Sequence, residues 1–445
     1  MSVLERFART NHSVRSRREK FQQKARPAPI QITEDGPSRS LFGRPRDIIV
    51  NQLLTPTIRH FSFDGGNLPF SRKSPSPRAQ STESLRSDDS EELGWDKTTL
   101  LTLSDSVRAS LQHDRSLGPD SEKLSRFLET VLKDEERRHP TLDFETIEHA
   151  RLDKLLNEIL LFVETMKTTT FATDLPLRFR VDAAHCKKLQ VIWRHRFREQ
   201  YIMIDQLRCA VLVKGGRLKD VSFNCALTYD LGKWQTRETN PVSEVEGNQQ
   251  FEAGHWWLNI VCAQRDGIVA CPSEQPTSGQ YGITALPLLT GQEEIVQKNG
   301  MDLVKYIRKG RSSDMHIALI SQVGQKIRIL RGHKLKSIYA PRAGVRYDGL
   351  YTIRQYGTKL DMVTNTHRLE LTLERVKDQK PMEVLNRVPK PSQLDDWKLY
   401  EKLEGDKIKL MEGDARYLEW NLQREEERID REDWRRDREF RASFS

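Results

Sequence analysis

The chain has 445 residues, of which 36% are hydrophobic and 31% charged, and its mean hydropathy is −0.68. So polar a composition excludes a packed core running through the whole length and leaves a sizeable fraction unfolded. A net charge of +9 and a pI of about 9.2 point to an acidic partner, nucleic acid before a membrane surface.

Residues 1–118 are rich in Ser, Pro and Arg without sustained periodicity, so they read as a disordered region. Arg6, Arg9, Arg15, Arg17, Arg18, Lys20, Lys24 and Arg26 suit a nuclear-import signal or a phosphate-binding arm. A mitochondrial presequence is the rival, weakened by Glu5 and Glu19, and a solvated tail is the plainest reading. Ser74-Pro75 and Ser76-Pro77, beside Arg72-Lys73, suit proline-directed phosphorylation. The N-terminus carries no apolar signal core, and no apolar run reaches membrane-spanning length. The expectation is a soluble chain with no membrane partner.

Residues 121–250 read as a helical domain with a small β hairpin. Leu124, Phe127, Leu128, Val131 and Leu132 repeat at helical spacing, and Pro140 ends that helix. The pattern returns from Phe144 to Phe162 through Ile147, Leu152, Leu155, Leu156 and Ile159. Asp182 suits the cap of a third helix with Leu189, Ile192 and Trp193 on its apolar side. Cys209–Phe223 reads as the hairpin, turning at Gly215-Gly216.

Residues 255–400 offer short strands at Ile317–Ser321, Lys326–Arg331, Leu350–Tyr356 and Arg368–Arg375, which predicts a curved sheet or partly closed barrel. In the second of these the period of two puts Lys326 and Arg328 on one face and Ile327 and Ile329 on the other, a half-buried strand with a basic outer surface. Asp348-Gly349 is a strong turn pair. Residues 401–445 read as a charged C-terminal helix, with Trp397, Tyr400, Leu403, Trp420 and Leu422 available to pack back on the barrel. The five cysteines, Cys186, Cys209, Cys225, Cys262 and Cys271, form no C-x-x-C pair and no Cys/His cluster, so no metal site or other cofactor is expected. His185, His195, His316, His333 and His367 stand in unrelated contexts with no nucleophile motif or phosphate loop, and the chain reads as a non-enzyme.

The segment 326–353 joins a basic alternating strand, Arg331-Gly332, Tyr339-Ala340-Pro341 and Arg346-Tyr347-Asp348-Gly349-Leu350-Tyr351. In that order and spacing it resembles the signature of the SRA/YDG family (SET- and RING-associated domains), readers of modified cytosine in DNA, and a fungal-type YDG-domain protein in particular. The resemblance implies an α+β chain: a disordered N-terminal region, a helical domain, a PUA-like SRA β-barrel with flanking helices, and a charged C-terminal helix. It implies a nuclear, chromatin-associated protein that binds double-stranded DNA, descended from readers of methylated cytosine that flip the base. The zinc-containing modules that often accompany the family have no motif here.

Likeness to the family's base pocket is eroded. Gly279-Gln280-Tyr281-Gly282-Ile283 stands for Gly-Ala-Tyr-Ser-Ile, and Gly291-Gln292-Glu293-Glu294-Ile295 for the stretch holding a stacking Tyr and an essential Asp. Gln292 replaces that Tyr, and the acid falls on Ile295, with Glu294 beside it. Tyr306 matches a second family Tyr, and only Lys309–Met315 stands where the family carries a long finger. Flipping costs a few kcal/mol, each aromatic wall returns about 1–3 kcal/mol, and a buried methyl adds about 0.8 kcal/mol. The divergent pocket therefore implies relaxed base specificity. Tyr281, Gly291, Gln292, Glu293, Glu294 and Tyr306 are the candidate base contacts. Lys305, Arg308, Lys309, Arg328, Arg331, Lys334, Lys336 and Arg346 are the candidate backbone contacts, a charge-rich window that also reads as a solvated surface. Tyr347, Asp348 and Gly349 read as structural. The alternative is a chromatin protein-interaction module whose degenerate barrel flips no base.

Overall fold

The computed structural model describes residues 95–442 except 170–175, 225–233, 238, 240–250, 281 and 299–300. The basic arm and the Ser-Pro pairs lie outside these residues. Six helices come first: α1 (Lys97–His113), α2 (Ser121–Glu136), α3 (Phe144–His149), α4 (Leu152–Thr169), α5 (Leu177–Arg196) and α6 (Arg198–Lys214). A short ladder follows, β1 (Val221–Phe223) with β2 (Trp234–Thr236). Next come β3 (Trp256–Trp257), α7 (Ile260–Arg265), β4 (Thr277–Gly279), β5 (Gly282–Leu288), β6 (Gln292–Lys298), β7 (Met301–Gly310), β8 (Lys326–Gly332), β9 (Val345–Asp361) and β10 (Thr366–Arg375). The chain closes with α8 (Met382–Leu385), α9 (Pro391–Glu412) and α10 (Asp414–Ala442).

The helical spacing seen in sequence becomes the first core. Leu124, Phe127, Leu128, Val131 and Leu132 are buried with Leu155, Leu156, Ile159, Leu189 and Trp193. Order starts earlier than residue 121, however, because α1 buries Leu100, Leu103 and Val107 in the same core. The disordered region expected through residue 118 is thus corrected for residues 95–118. Asp182 is no cap: it lies inside α5, where its carboxylate accepts a hydrogen bond of 2.8 Å from Ser125 Oγ. The expected hairpin at Cys209–Phe223 is also corrected. Cys209–Lys214 continue α6, and only Val221–Phe223 enter a strand.

The sheet has eight strands in the order β4–β5–β8–β9–β10–β7–β6, with β3 on β9, and β5–β8 is its parallel pair. It curls until edge strand β6 meets the loop after β8, where Glu293 N donates to Lys336 O (2.9 Å) and Lys336 N to Gly291 O (3.0 Å). Among the described residues no strand pairing completes the circle, so the sheet is curved and non-closed where the resemblance implied a β-barrel, and the fold is α+β. Ile317–Ser321, expected as a strand, lies in a 3₁₀ turn. Ile327, Ile329, Tyr351, Ile353, Leu369 and Leu371 fill the concave side with Tyr306.

Asp348-Gly349 is not a turn either. Ile329 pairs with Gly349 and Leu330 with Tyr347, which leaves Asp348 as the extra residue of a β-bulge. Gly349 takes φ +102°, and a Cβ there would collide with Gln379 Oε1. Only glycine fits that bulge.

A further core joins Leu212, Trp256, Trp257, Leu258, Leu330 and Tyr347 to Trp397 and Tyr400 of α9. Trp397 and Tyr400 thus pack back as expected, whereas Leu422 stays exposed. The charged C-terminal segment forms two helices, and α9 runs across residue 400, where a domain edge was expected. Its N-terminal part is stapled to the bundle by buried Arg108, which donates to Asp395 (2.8 Å) and Glu158 (2.6 Å).

Candidate nucleic-acid interface

The candidate residues fall into three settings: a buried network, a tight turn and a rim. Alternation along β8 gives Arg331 the parity of Ile327 and Ile329, which points it into the protein. There Arg331 is fully buried. It donates two bonds to Glu293 (Nε–Oε2 2.8 Å, Nη2–Oε1 3.0 Å), one to Asp348 Oδ2 (2.6 Å) and one to the Tyr351 hydroxyl (3.0 Å). Asp348, on the bulge, also accepts from Arg346 Nε and Nη2. The remaining Arg346 hydrogens reach the carbonyls of Tyr339 (2.6 Å), Leu385 (2.7 Å) and Val388 (3.0 Å). Ser337 Oγ donates to Glu293 Oε2.

Two guanidinium groups and two carboxylates therefore neutralise one another out of water and tie together β6, β8, β9 and the loops on either side. Burial alone raises the carboxyl of Asp348, yet Arg346 and Arg331 beside it hold it below the usual carboxylate range. The basic outer surface expected on β8 is absent as well. Arg328 is 3% exposed and hydrogen-bonds Tyr347, whose own hydroxyl burial pushes up to about 12. Of that face only Lys326 is exposed.

The turn between β5 and β6 carries the eroded base pocket. Gly291 takes φ +86°, and a Cβ would sit 2.6 Å from Ile307 O, so the two segments approach as only glycine permits. Tyr306 lies beneath it, 2% exposed, with its hydroxyl donating to Thr290 O at 3.1 Å. Burial pushes that phenol far up. Glu274 holds the turn through Leu289 N (2.9 Å) and Thr290 Oγ1 (2.9 Å), and it pairs with Arg308 at 2.8 Å. Gln292 is half-buried at the start of β6, and Ile295, where the essential acid was sought, is 45% exposed. Tyr281 lies outside the described residues.

The rim is already covered. Helix α10 runs over the loop after β8: Glu427 pairs with Lys334 (2.8 Å), Asp430 with Lys336 (2.7 Å), and Arg438 lies 3.6 Å from Glu294. Arg431 and Arg435 donate to the carbonyls of His333 (2.8 Å) and Ala340 (3.0 Å). Each such exposed ion pair contributes about 0.2–1 kcal/mol. Between rim and helices opens a cleft of about 1220 Å³, lined among others by Gln292, Arg308, Lys309, Lys336 and Arg428. On the outer face of β7, Lys305 pairs with Glu370 at 2.8 Å, while Lys309 is exposed. Among the described residues, no group of three His, Cys, Asp or Glu side chains is placed to hold a metal ion.

Sequence reasoning grouped these residues as one surface, and the structure separates them. Arg331, Arg346 and Glu293 come together inside. Lys334, Lys336 and Glu294 meet α10, and Lys309 stays outside. The partnership of Glu293 with Arg331 went unseen, and its one local signal was the inward parity of Arg331.

No family model matches the chain, and no curated protein does. Among solved structures, the SRA domain of SUVH5 bound to hemimethylated CG DNA is 18% identical, covering 32% of this chain and 96% of that one, with a TM-score of 0.23. The modification-dependent restriction endonuclease TagI is 19% identical over 35% of this chain and 57% of its own, with a TM-score of 0.24. Arabidopsis thaliana SUVH6, crystallised with SAM, is 14% identical; the match covers 41% of this chain but only 33% of SUVH6, with a TM-score of 0.26. Likenesses this slight decide neither the fold nor the function of this chain.

Proposed function

We propose that the chain is a DNA-binding protein of nuclear chromatin, of the SRA type, that holds the duplex by its backbone without flipping a base, and that it catalyses no reaction. One observation carries the reading. Two of the candidate base contacts, Glu293 and Tyr306, are already engaged inside the protein, by Arg331 and by Thr290. Extruding a base costs a few kcal/mol, and no free aromatic wall stands at Gln292 to return about 1–3 kcal/mol of it. Backbone contact asks less. Exposed Lys309, Arg311 and Lys326, with the net charge of +9, supply sequence-independent attraction to phosphate. The alternative, a protein-interaction module, is favoured by one feature: the rim already seats a helix of its own chain.

The test is a titration of the full chain against duplexes carrying unmodified, hemimethylated or fully methylated CpG, at two salt concentrations. The expected result is salt-sensitive binding with a methyl preference below about fourfold, the worth of one buried methyl. A preference far above that restores base flipping. Absence of binding at low salt leaves the protein-interaction reading.

A further inference from the structure

Beyond Lys309, already placed among the phosphate contacts, the β9–β10 hairpin and its neighbour β7 carry an arrangement that stability does not explain. Arg368 on β10 is the Cα partner of Lys309 on one side and of Lys359 on the other. Three cations therefore stand abreast across three strands about 4.8 Å apart, and like charges directly opposite one another destabilise a sheet. Their compensation is thin. Glu370, two residues along, lies 2.8 Å from Arg368, 3.8 Å from Lys359 and 2.8 Å from Lys305. Glu370 thus answers two cations of the row together with Lys305, and the Cα partner of Lys305 on β6 is a second acid, Glu294. The other nearby acid, Asp361, accepts from the backbone of Val363 (3.0 Å) and Thr364 (3.3 Å) and so closes the hairpin turn, and it meets Lys309 only as a weak charge partner. Lys359 is 72% exposed at its side chain, and Lys309 is exposed.

We infer that this outer face, with Lys309, Arg368 and Lys359 in one row, is a second polyanion-binding surface that takes the backbone of duplex DNA on the opposite side of the sheet from Tyr306. The inference rests on the DNA-binding reading and assigns it a face. In β7 the parity of Lys309 is that of Lys305, while Tyr306 points into the core. At one end the row reaches the rim, where Lys309 and Arg368 line the cleft of about 1220 Å³. A lipid surface is the other polyanion to weigh, since Met362 and Val363 at the tip are 83% and 95% exposed. Inserting that tip would bury Asp361 with them, whereas a duplex lying across the sheet leaves Asp361 in water.

The experiment uses the full chain and a labelled duplex between about 50 and 200 mM salt. It compares wild type with the triple variant Lys309→Gln, Lys359→Gln, Arg368→Gln and with the pair Lys334→Gln, Lys336→Gln. The triple variant is expected to lower the slope of log K against log salt by about 2–3, at about 0.9 per lost phosphate contact. Affinity at the lower salt falls at least tenfold, and the thermal midpoint does not drop, because the row is self-repelling. The pair, already matched by Glu427 and Asp430, changes less. Wild-type binding that the triple variant leaves intact overturns the inference while sparing the DNA reading. A wild type that binds no duplex at either salt removes that reading itself. Phosphatidylserine vesicles bound more tightly than the duplex, and lost in the triple variant, overturn the assignment in favour of a lipid.

Discussion

Arg331 and Arg368 both sit on strands of the same sheet, yet they live in opposite physical regimes. Arg331 is 0% exposed and held by two carboxylates and a phenol. Arg368 stands between two other cations and shares Glu370 with Lys305 and Lys359. A basic residue in a basic window is therefore no guide to a binding surface. Where the charge meets fully matched partners out of water it holds the fold, and where like charges line up in water it remains open to an outside anion.

The largest effect that sharpens this contrast belongs to the network. Asp348→Asn leaves buried Arg346 with backbone carbonyls alone and Arg331 with Glu293 as its one carboxylate, and is expected to cost about 3–5 kcal/mol in urea unfolding. Folding holds the Asp348 carboxyl below its unfolded value, so its contribution is present above about pH 4 and fades as pH falls below that. The acid limb of the stability curve should therefore be steeper in wild type than in Asp348→Asn. An equal loss on neutralising any one cation of the outer row would break the contrast.

Gly349→Ala comes next. At φ +102°, with Gln379 in the way, the change is expected to cost about 1–3 kcal/mol, read as a lower thermal midpoint. His333 gives an intermediate effect. Its ring lies 4.8 Å from Trp397; burial lowers its pKa well below the usual value, aided by Arg431, Lys334 and Arg424. The unfolded chain binds that proton near pH 6.5 and the folded one resists it, so stability is full above about 6.5 and declines below. His333→Gln should flatten that decline between pH 7 and 5. The smallest change is Glu427→Gln, which frees Lys334 at about 0.2–1 kcal/mol, a difference that 1 M salt should erase.

Much of the fold was legible because it depends on neighbours in the chain. The period of 3.6 in Leu124, Phe127, Leu128 and Val131 located a buried helix face, and the period of two in Lys326–Arg331 located a strand and its inward side. Gly349 marked tight backbone, though as a turn and not the bulge it forms. The order before residue 118 was missed because α1 is polar on average and is held by burying Leu100, Leu103 and Val107 against helices far along the chain.

Sequence by itself determined the bundle helices from Leu124 on, the strands at Lys326–Arg331, Leu350–Tyr356 and Arg368–Arg375, the positive balance and the inward side of Ile327 and Ile329. Tertiary structure alone decided that Glu293 and Asp348 meet that arginine, that α10 covers Lys334 and Lys336, and that Arg368 lies between Lys309 and Lys359. The reason is physical. Local periodicity is set by backbone geometry within a few residues, whereas the meaning of a charge depends on burial and on partners that strand register brings from elsewhere in the chain.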